Sequence, residues 1–174
     1  MRKSAAVIIL FMLGLANAGA QTTNIIFTFS IDNYPESRII ESLYEGHRSE
    51  VLYEFRLLKE AEGIRKIFGD RLIEEEKTVY VARWDPLNEN FVVLIDGSAE
   101  RVFNDPQSFL DFFLSIKNRA IPVSPPLAED AYLLCRWSIQ PVKLVPPLTL
   151  MTLIKPDLQT ISSWERTAIE EEIR

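Results

Sequence analysis

Residues 88–103, NENFVVLIDGSAERVF, decide the architecture. Asp96-Gly97 is the dipeptide favoured in a two-residue hairpin turn, because both positions take a positive φ and the resulting twist matches the flanking strands. The turn predicts antiparallel pairing with Ile95 opposite Ser98, Val93 opposite Glu100 and Phe91 opposite Val102. Phe91 to Ile95 is apolar at every position, the pattern of an inner strand covered on both faces. A hairpin here argues for an antiparallel sheet, since parallel neighbours need long crossover connections.

On the N-terminal side, Asp85-Pro86-Leu87-Asn88 is a turn and EEKTVYVARW (75–84) is a second strand, with Thr78, Tyr80, Ala82 and Trp84 on one face. RSEVLYEFRLLKE (48–60) alternates Val51, Tyr53, Phe55 and Leu57 with Leu52, Glu54, Arg56 and Leu58, a third strand. Between the two, EAEGIRKIFGDRL (60–72) has helical spacing at Ala61, Ile64, Ile67 and Phe68 but is broken by Gly63 and Gly69. The alternative is one interrupted extended stretch from 48 to 85. DNYPESRIIESLYEGH (32–47) predicts a helix with an Asn33/Glu36 capping box, an apolar face at Ile39, Ile40, Leu43, Tyr44 and His47, and a stop at Gly46. IIFTFSI (25–31) reads as a strand.

On the C-terminal side, Asp105 is suited as N-cap and Pro106 as first residue of a helix reaching to residue 117. Phe109, Phe112 and Phe113 on that helix are either core or a candidate apolar pocket. AIPVSPPLAED (120–130) is an expected extended loop, and AYLLCRWSIQ (131–140) a strand. RWSIQPVKLVPPLTLMTLI (136–154) then forms an apolar ribbon that Pro141, Pro146 and Pro147 interrupt. Proline donates no hydrogen bond, so pairing stops at Pro141 or the strand is an edge. The ribbon either crosses the core or offers Val142, Leu144, Leu148 and Leu150 to another chain, with Trp137 and Trp164 as aromatic anchors. Ser162-x-x-Glu165 predicts a short helix over 162–174.

The expected fold is therefore α+β: a largely antiparallel sheet of five to seven strands with two or three helices packed on one face. Residues 1–20 read as a signal peptide, with Arg2 and Lys3 before the apolar Ala5–Ala16 and small residues up to Ala20. An uncleaved anchor is the alternative. Export to the periplasm or the extracellular space follows, with 21–174 as one globular domain and no membrane span after cleavage. Removing the first twenty residues takes the net charge from −6 to −8. An acidic domain is a poor ligand for nucleic acid, which is bound by neutralising phosphates. The lone Cys135 permits no internal disulfide and reads as a small buried apolar group.

Catalytic signals are sparse. His47 is the only histidine, and it sits at a helix C-terminus, where the dipole favours a cation. No serine lies in a G-x-S-x-G elbow or an S-x-x-K pair. One Cys and one His make no zinc site without carboxylates. Glu74-Glu75-Glu76 and Glu170-Glu171-Glu172 read as solvated charge runs, because adjacent carboxylates on a strand point to opposite faces. No enzyme, metal or cofactor is expected, though a carboxylate pair assembled in three dimensions leaves no local trace.

The succession IIESLYEGHRSEVLYEFRLLKE, TVYVARWDPLNENFVVLIDG, QSFLDFFLSIKN and a strand running into Val142-Lys143-Leu144-Val145-Pro146-Pro147-Leu148 resembles an exported bacterial family, domain-of-unknown-function family 4390, over about residues 25–155. Trp164 matches an aromatic position near the family's end. The glycine-broken segment 61–71 and the glutamate-rich tail depart from its pattern. The resemblance implies export and approximate fold, associates the gene with neighbouring genes for membrane sensor kinases, and lends no catalytic residue. The expected function is a non-enzymatic interaction domain docking on an envelope protein; the alternative is a periplasmic module binding a small apolar or lipid ligand.

Overall fold

The long alternating strands do what their period demands. In the computed structural model, which describes residues 23–123, 131–142, 159–167 and 170–172, they assemble as β2 (Ser49–Lys59), β3 (Arg71–Asp85), β4 (Asn90–Ile95), β5 (Ala99–Phe103) and β7 (Ala131–Gln140). With the short β8 (Thr160–Ile161) and β9 (Glu165–Thr167), both on β7, they form a seven-stranded antiparallel sheet in the order β5-β4-β3-β2-β7-β8. β1 (Thr23–Ser30) stands apart from it. Together with β6 (Ser115–Val123) and β10 (Glu170–Glu172) it makes a separate three-stranded sheet.

The core lies between these layers. Val51, Tyr53, Phe55 and Leu57 of β2, Tyr80 and Ala82 of β3, Phe91 and Val93 of β4, and Leu133, Cys135 and Ile139 of β7 point the same way. They are covered by β1, by β6 and by two helices, α1 (Glu36–Tyr44) and α2 (Pro106–Phe113). Phe27 packs on Phe55 at 4.8 Å between ring centres, and Phe29 meets Tyr53 edge-on at 6.4 Å. The Tyr53 hydroxyl donates to the Phe113 carbonyl at 2.8 Å, which gives the one polar atom of a fully buried ring its partner. One face of the large sheet is packed and the other faces outward, the usual division in antiparallel sheets.

Several expectations are corrected. The Asp96-Gly97 turn forms, with Asp96 at φ 49° and the Ser98 amide donating to the Ile95 carbonyl at 3.0 Å. The strands nevertheless pair Ile95 with Ala99, Val93 with Arg101 and Phe91 with Phe103, one residue from the expected register. Asp96 is held by the neighbouring strand: its amide donates to the Val79 carbonyl and its carboxylate accepts from the Val79 amide, both at 2.8 Å. Ser98 is the residue left over. A one-residue slip swaps the faces, so Phe103 packs inward on Phe109 and Phe112 while Val102 is exposed.

At α1 the Asn33/Glu36 capping box does not form: Asn33 is left-handed at φ 62° and the helix starts after Pro35 without a side-chain cap. The helix predicted to run to 117 ends at Phe113, and residues 115–123 become β6 instead of helix end and loop. Pro122 is tolerated there because β6 is an edge strand of the small sheet. The tail predicted as a helix over 162–174 supplies β9 and β10, because each finds a strand to pair with: β7 and β1 respectively. Residues 60–72 follow the interrupted-strand alternative, with a short 3-10 helix, Gly63–Phe68, between β2 and β3.

Strand β7 is flanked on both sides, by β2 and by β8 and β9, so it is no edge. Pairing with β2 does stop at Gln140, as Pro141 requires. The Pro141 carbonyl accepts from the hydroxyls of Ser42 on α1 and Ser49 on β2, each at 2.6 Å, pinning the ribbon's first proline inside the molecule. The signal-peptide reading of 1–20, the loop residues 124–130, and Leu144, Leu148 and Leu150 of the ribbon lie outside the described residues.

Candidate functional site

Strands β2 and β3 pair as far as Lys59 opposite Arg71, with a bulge at Ile73 between the Leu57–Glu74 and Leu58–Leu72 pairs, and the chain between them forms a tip beyond the sheet. Gly63 at φ 56° and Gly69 at φ 81° bracket the 3-10 helix; both lie in the left-handed region that residues with a Cβ rarely enter. Below the tip is a tied neck. The Asp70 carboxylate accepts from the Ala61 amide at 2.9 Å and from the Tyr132 hydroxyl of β7. The Tyr132 and Ala61 donors hold the Asp70 carboxyl below the ordinary aspartate range, and Asp70 in turn raises Tyr132. Arg166 of β9 stacks on the Tyr132 ring at 4.4 Å and pairs with Glu60 at 3.3 Å. Four side chains from three elements thus hold the base of this loop.

What the neck presents is apolar. Ile64 is 83 % exposed, Ile67 81 % and Phe68 87 %. Fully burying one such side chain is worth about 1.5–3 kcal/mol, and the described fold collects none of it here. Scattered surface apolar residues need no explanation, whereas three within five residues on a tied loop form a patch. Lys66 lies among them, exposed, and a hollow of about 520 Å³ between Phe68 and the neck is lined by Lys59, Glu60, Glu62 and Arg71. Chain patterning hid this site: the same residues have helical spacing. The available signal was their confinement between two glycines, in a run too short to bury a helical face.

The outward face of the large sheet carries an ion-pair row. Glu54, 5 % exposed, accepts from Lys77 at 3.0 Å on β3 and from the Arg136 Nε at 2.7 Å on β7, its directly paired neighbours. Burial pushes the Glu54 carboxyl up, but hydrogen bonds and charge from Lys77 and Arg136 outweigh it and hold it below the ordinary glutamate value. Arg56 pairs with Glu75 at 3.4 Å. Trp164 lies against this row, with the guanidinium carbons of Arg56 and Arg136 at 4.5 and 4.6 Å from its ring. It thereby fixes the C-terminal segment to the sheet. Trp137 is on the opposite, inward face, edge-on to Tyr34 at 6.1 Å. The structure therefore does not bring the two tryptophans to one surface; Val142 is half-buried at the end of the described ribbon.

The phenylalanine pocket is corrected likewise. Phe109 and Phe113 are fully buried, Phe109 stacked on Phe91 at 4.6 Å and on Phe113 at 5.2 Å, so they are core. Phe112 alone reaches a cleft of about 450 Å³, stacked on Tyr80 at 5.3 Å and joined there by Asp111, Lys117 and Arg119. Its mixed lining differs from the apolar pocket expected.

Residues with reactive side chains are dispersed. His47 is half-exposed after α1, with Nε2 3.8 Å from Glu45. Cys135 is buried, its thiol pushed up to about 11 by burial and accepting from the Thr167 hydroxyl at 3.2 Å. Glu75 and Glu76 point to opposite faces, toward Arg56 and toward Arg119. Among the described residues no group of three or more His, Cys, Asp or Glu is arranged to hold a metal ion, and no helix is long and apolar enough to cross a membrane. Comparison of the chain with protein-family models, with curated proteins and with solved structures returns no match.

Proposed function

We propose that the chain is an exported, non-enzymatic interaction domain of the bacterial envelope and that it docks through the tip between β2 and β3. The observation that carries this is the exposure of Ile64, Ile67 and Phe68 on a loop whose neck is tied by Asp70, Tyr132 and Arg166. A loop free of function has no reason to hold three large apolar groups in water. The signal-like residues 1–20 and the resemblance to domain-of-unknown-function family 4390 support the envelope location. A photo-crosslinking residue at position 68 of the full chain, expressed in cells, is expected to give adducts. The same residue at Leu87, 92 % exposed in the turn at the other end of β3, is expected to give none. Equal labelling from both positions would remove the tip from the account.

A second reading, a module for a small ligand, is favoured by the cleft beside Phe112. Lys117 and Arg119 in its wall suit a ligand with a polar or acidic group better than a purely apolar one. Native mass spectrometry of protein from its own host is its test. A clean unliganded mass counts against it.

A further inference from the structure

We propose that the tip's partner is the surface of an anionic lipid bilayer, into which Ile64, Ile67 and Phe68 insert. The inference rests on the reading of the tip as a contact element and names what it contacts. Three observations carry it.

The first is local charge. The chain is acidic overall, at net −6, yet residues 59–71 hold four basic residues against three acidic ones, and of those three Glu60 pairs with Arg166 while Asp70 accepts from Ala61 and Tyr132. Apolar side chains interleaved with cations are what the headgroup boundary of an anionic membrane takes up. The second is at the foot. Lys59 and Arg71 are directly opposite across the β2–β3 ladder, where like charges repel. Neither makes an ion pair within the described residues, and both line the hollow under Phe68, beside Glu62 and a Glu60 that is already paired with Arg166.

The third is placement. Phe27 lies beside Phe55 and Phe29 beside Tyr53, so β1 runs opposite to β2 with Ile25 level with Leu57 and Thr23 level with Lys59. The described chain therefore begins at the same pole as the tip, so an N-terminal run left uncleaved would join the fold there. The acidic runs sit lower: Glu74 is level with Leu57, and Glu171 with Ile25. Glu172, opposite Asn24, comes within one residue of the foot's level, inside the screening length of about 8 Å at physiological salt, while the tip residues lie farther out, beyond the end of the β2–β3 ladder.

The test uses the full chain with Ile67→Cys carrying an environment-sensitive dye; buried Cys135 does not compete for the label. Vesicles of phosphatidylcholine with phosphatidylglycerol are expected to shift the emission to the blue, and vesicles of phosphatidylcholine alone to shift it far less. Adding Lys66→Gln should weaken the lipid dependence about fivefold, one charge's share at an anionic surface. Adding Ile64→Ser and Phe68→Ser should abolish the shift. A dye at Leu87→Cys is the control against tethering by residues 1–20 alone, and it should stay silent. No shift at position 67 on either vesicle, or equal shifts at 67 and 87, overturns the proposal. If vesicles fail while the position-68 crosslinker captures a protein in cells, the lipid inference falls and the contact reading stands; if both fail, both fall.

Discussion

Glu54 holds its charge on the outward face because two cations reach it from adjacent strands. Replacing it with Ala leaves Lys77 and Arg136 without their shared acceptor. Hydrogen bonds to a charged group are worth about 1.5–3 kcal/mol, and both cations are partly exposed and rehydrate, so Glu54→Ala should cost about 1.5–2 kcal/mol in a urea titration. The pH dependence follows from the lowered folded-state carboxyl. Glu54 contributes its full stability above the ordinary glutamate value of 4.5 and loses it as the pH falls through its lower folded value. Stability measured from pH 6 down to pH 3 should therefore fall less steeply in Glu54→Ala than in wild type. Cys135 provides a second check. With its thiol raised to about 11 by burial, alkylation of the native protein at pH 8 should be far slower than in denaturant, and rapid modification would show that β7 opens. Cys135 was legible from chain position alone: flanked by Leu134 and Arg136 in an alternating strand, it had to face inward. The Glu54 pairing was not, because it needs the lateral order β3-β2-β7.

Among the elements, α2 shows how a start signal outlives a wrong length. Asp105 accepts from the Ser108 amide at 2.8 Å as its sequence predicts, and Asp105→Ala should cost about 1 kcal/mol by thermal or chemical denaturation. The helix end was illegible because Ile116 keeps helical spacing while pairing with Phe29 in β6. Asn118 at φ 51° and a bulge opposite Phe27–Phe29 break the period-2 pattern that marks a strand. The tip behaves differently from α2. Since Ile64, Ile67 and Phe68 touch little of the fold, replacing all three with Ser should leave the melting temperature nearly unchanged, as surface substitutions do. A large drop would mean that the loop packs on something in the folded chain.

At the scale of the molecule, the antiparallel α+β class was readable because β2, β3 and β7 each alternate over most of their length, β4 is a short apolar run, and a turn dipeptide joins β4 to β5. Division into two sheets was not, since nothing in IIFTFSI says which strands it will find. One buried cluster links both sheets and both helices, so a single cooperative unfolding transition is expected. Fluorescence of Trp84, Trp137 and Trp164 should then coincide with the loss of far-ultraviolet dichroism. The three-stranded sheet has one more effect, on timing. Its middle strand is among the earliest parts of the described chain to be synthesised, and its outer partner β10 is nearly the last. That sheet cannot be completed before residues 170–172 have left the ribosome, so the nascent chain stays unfinished, and threadable, until they emerge.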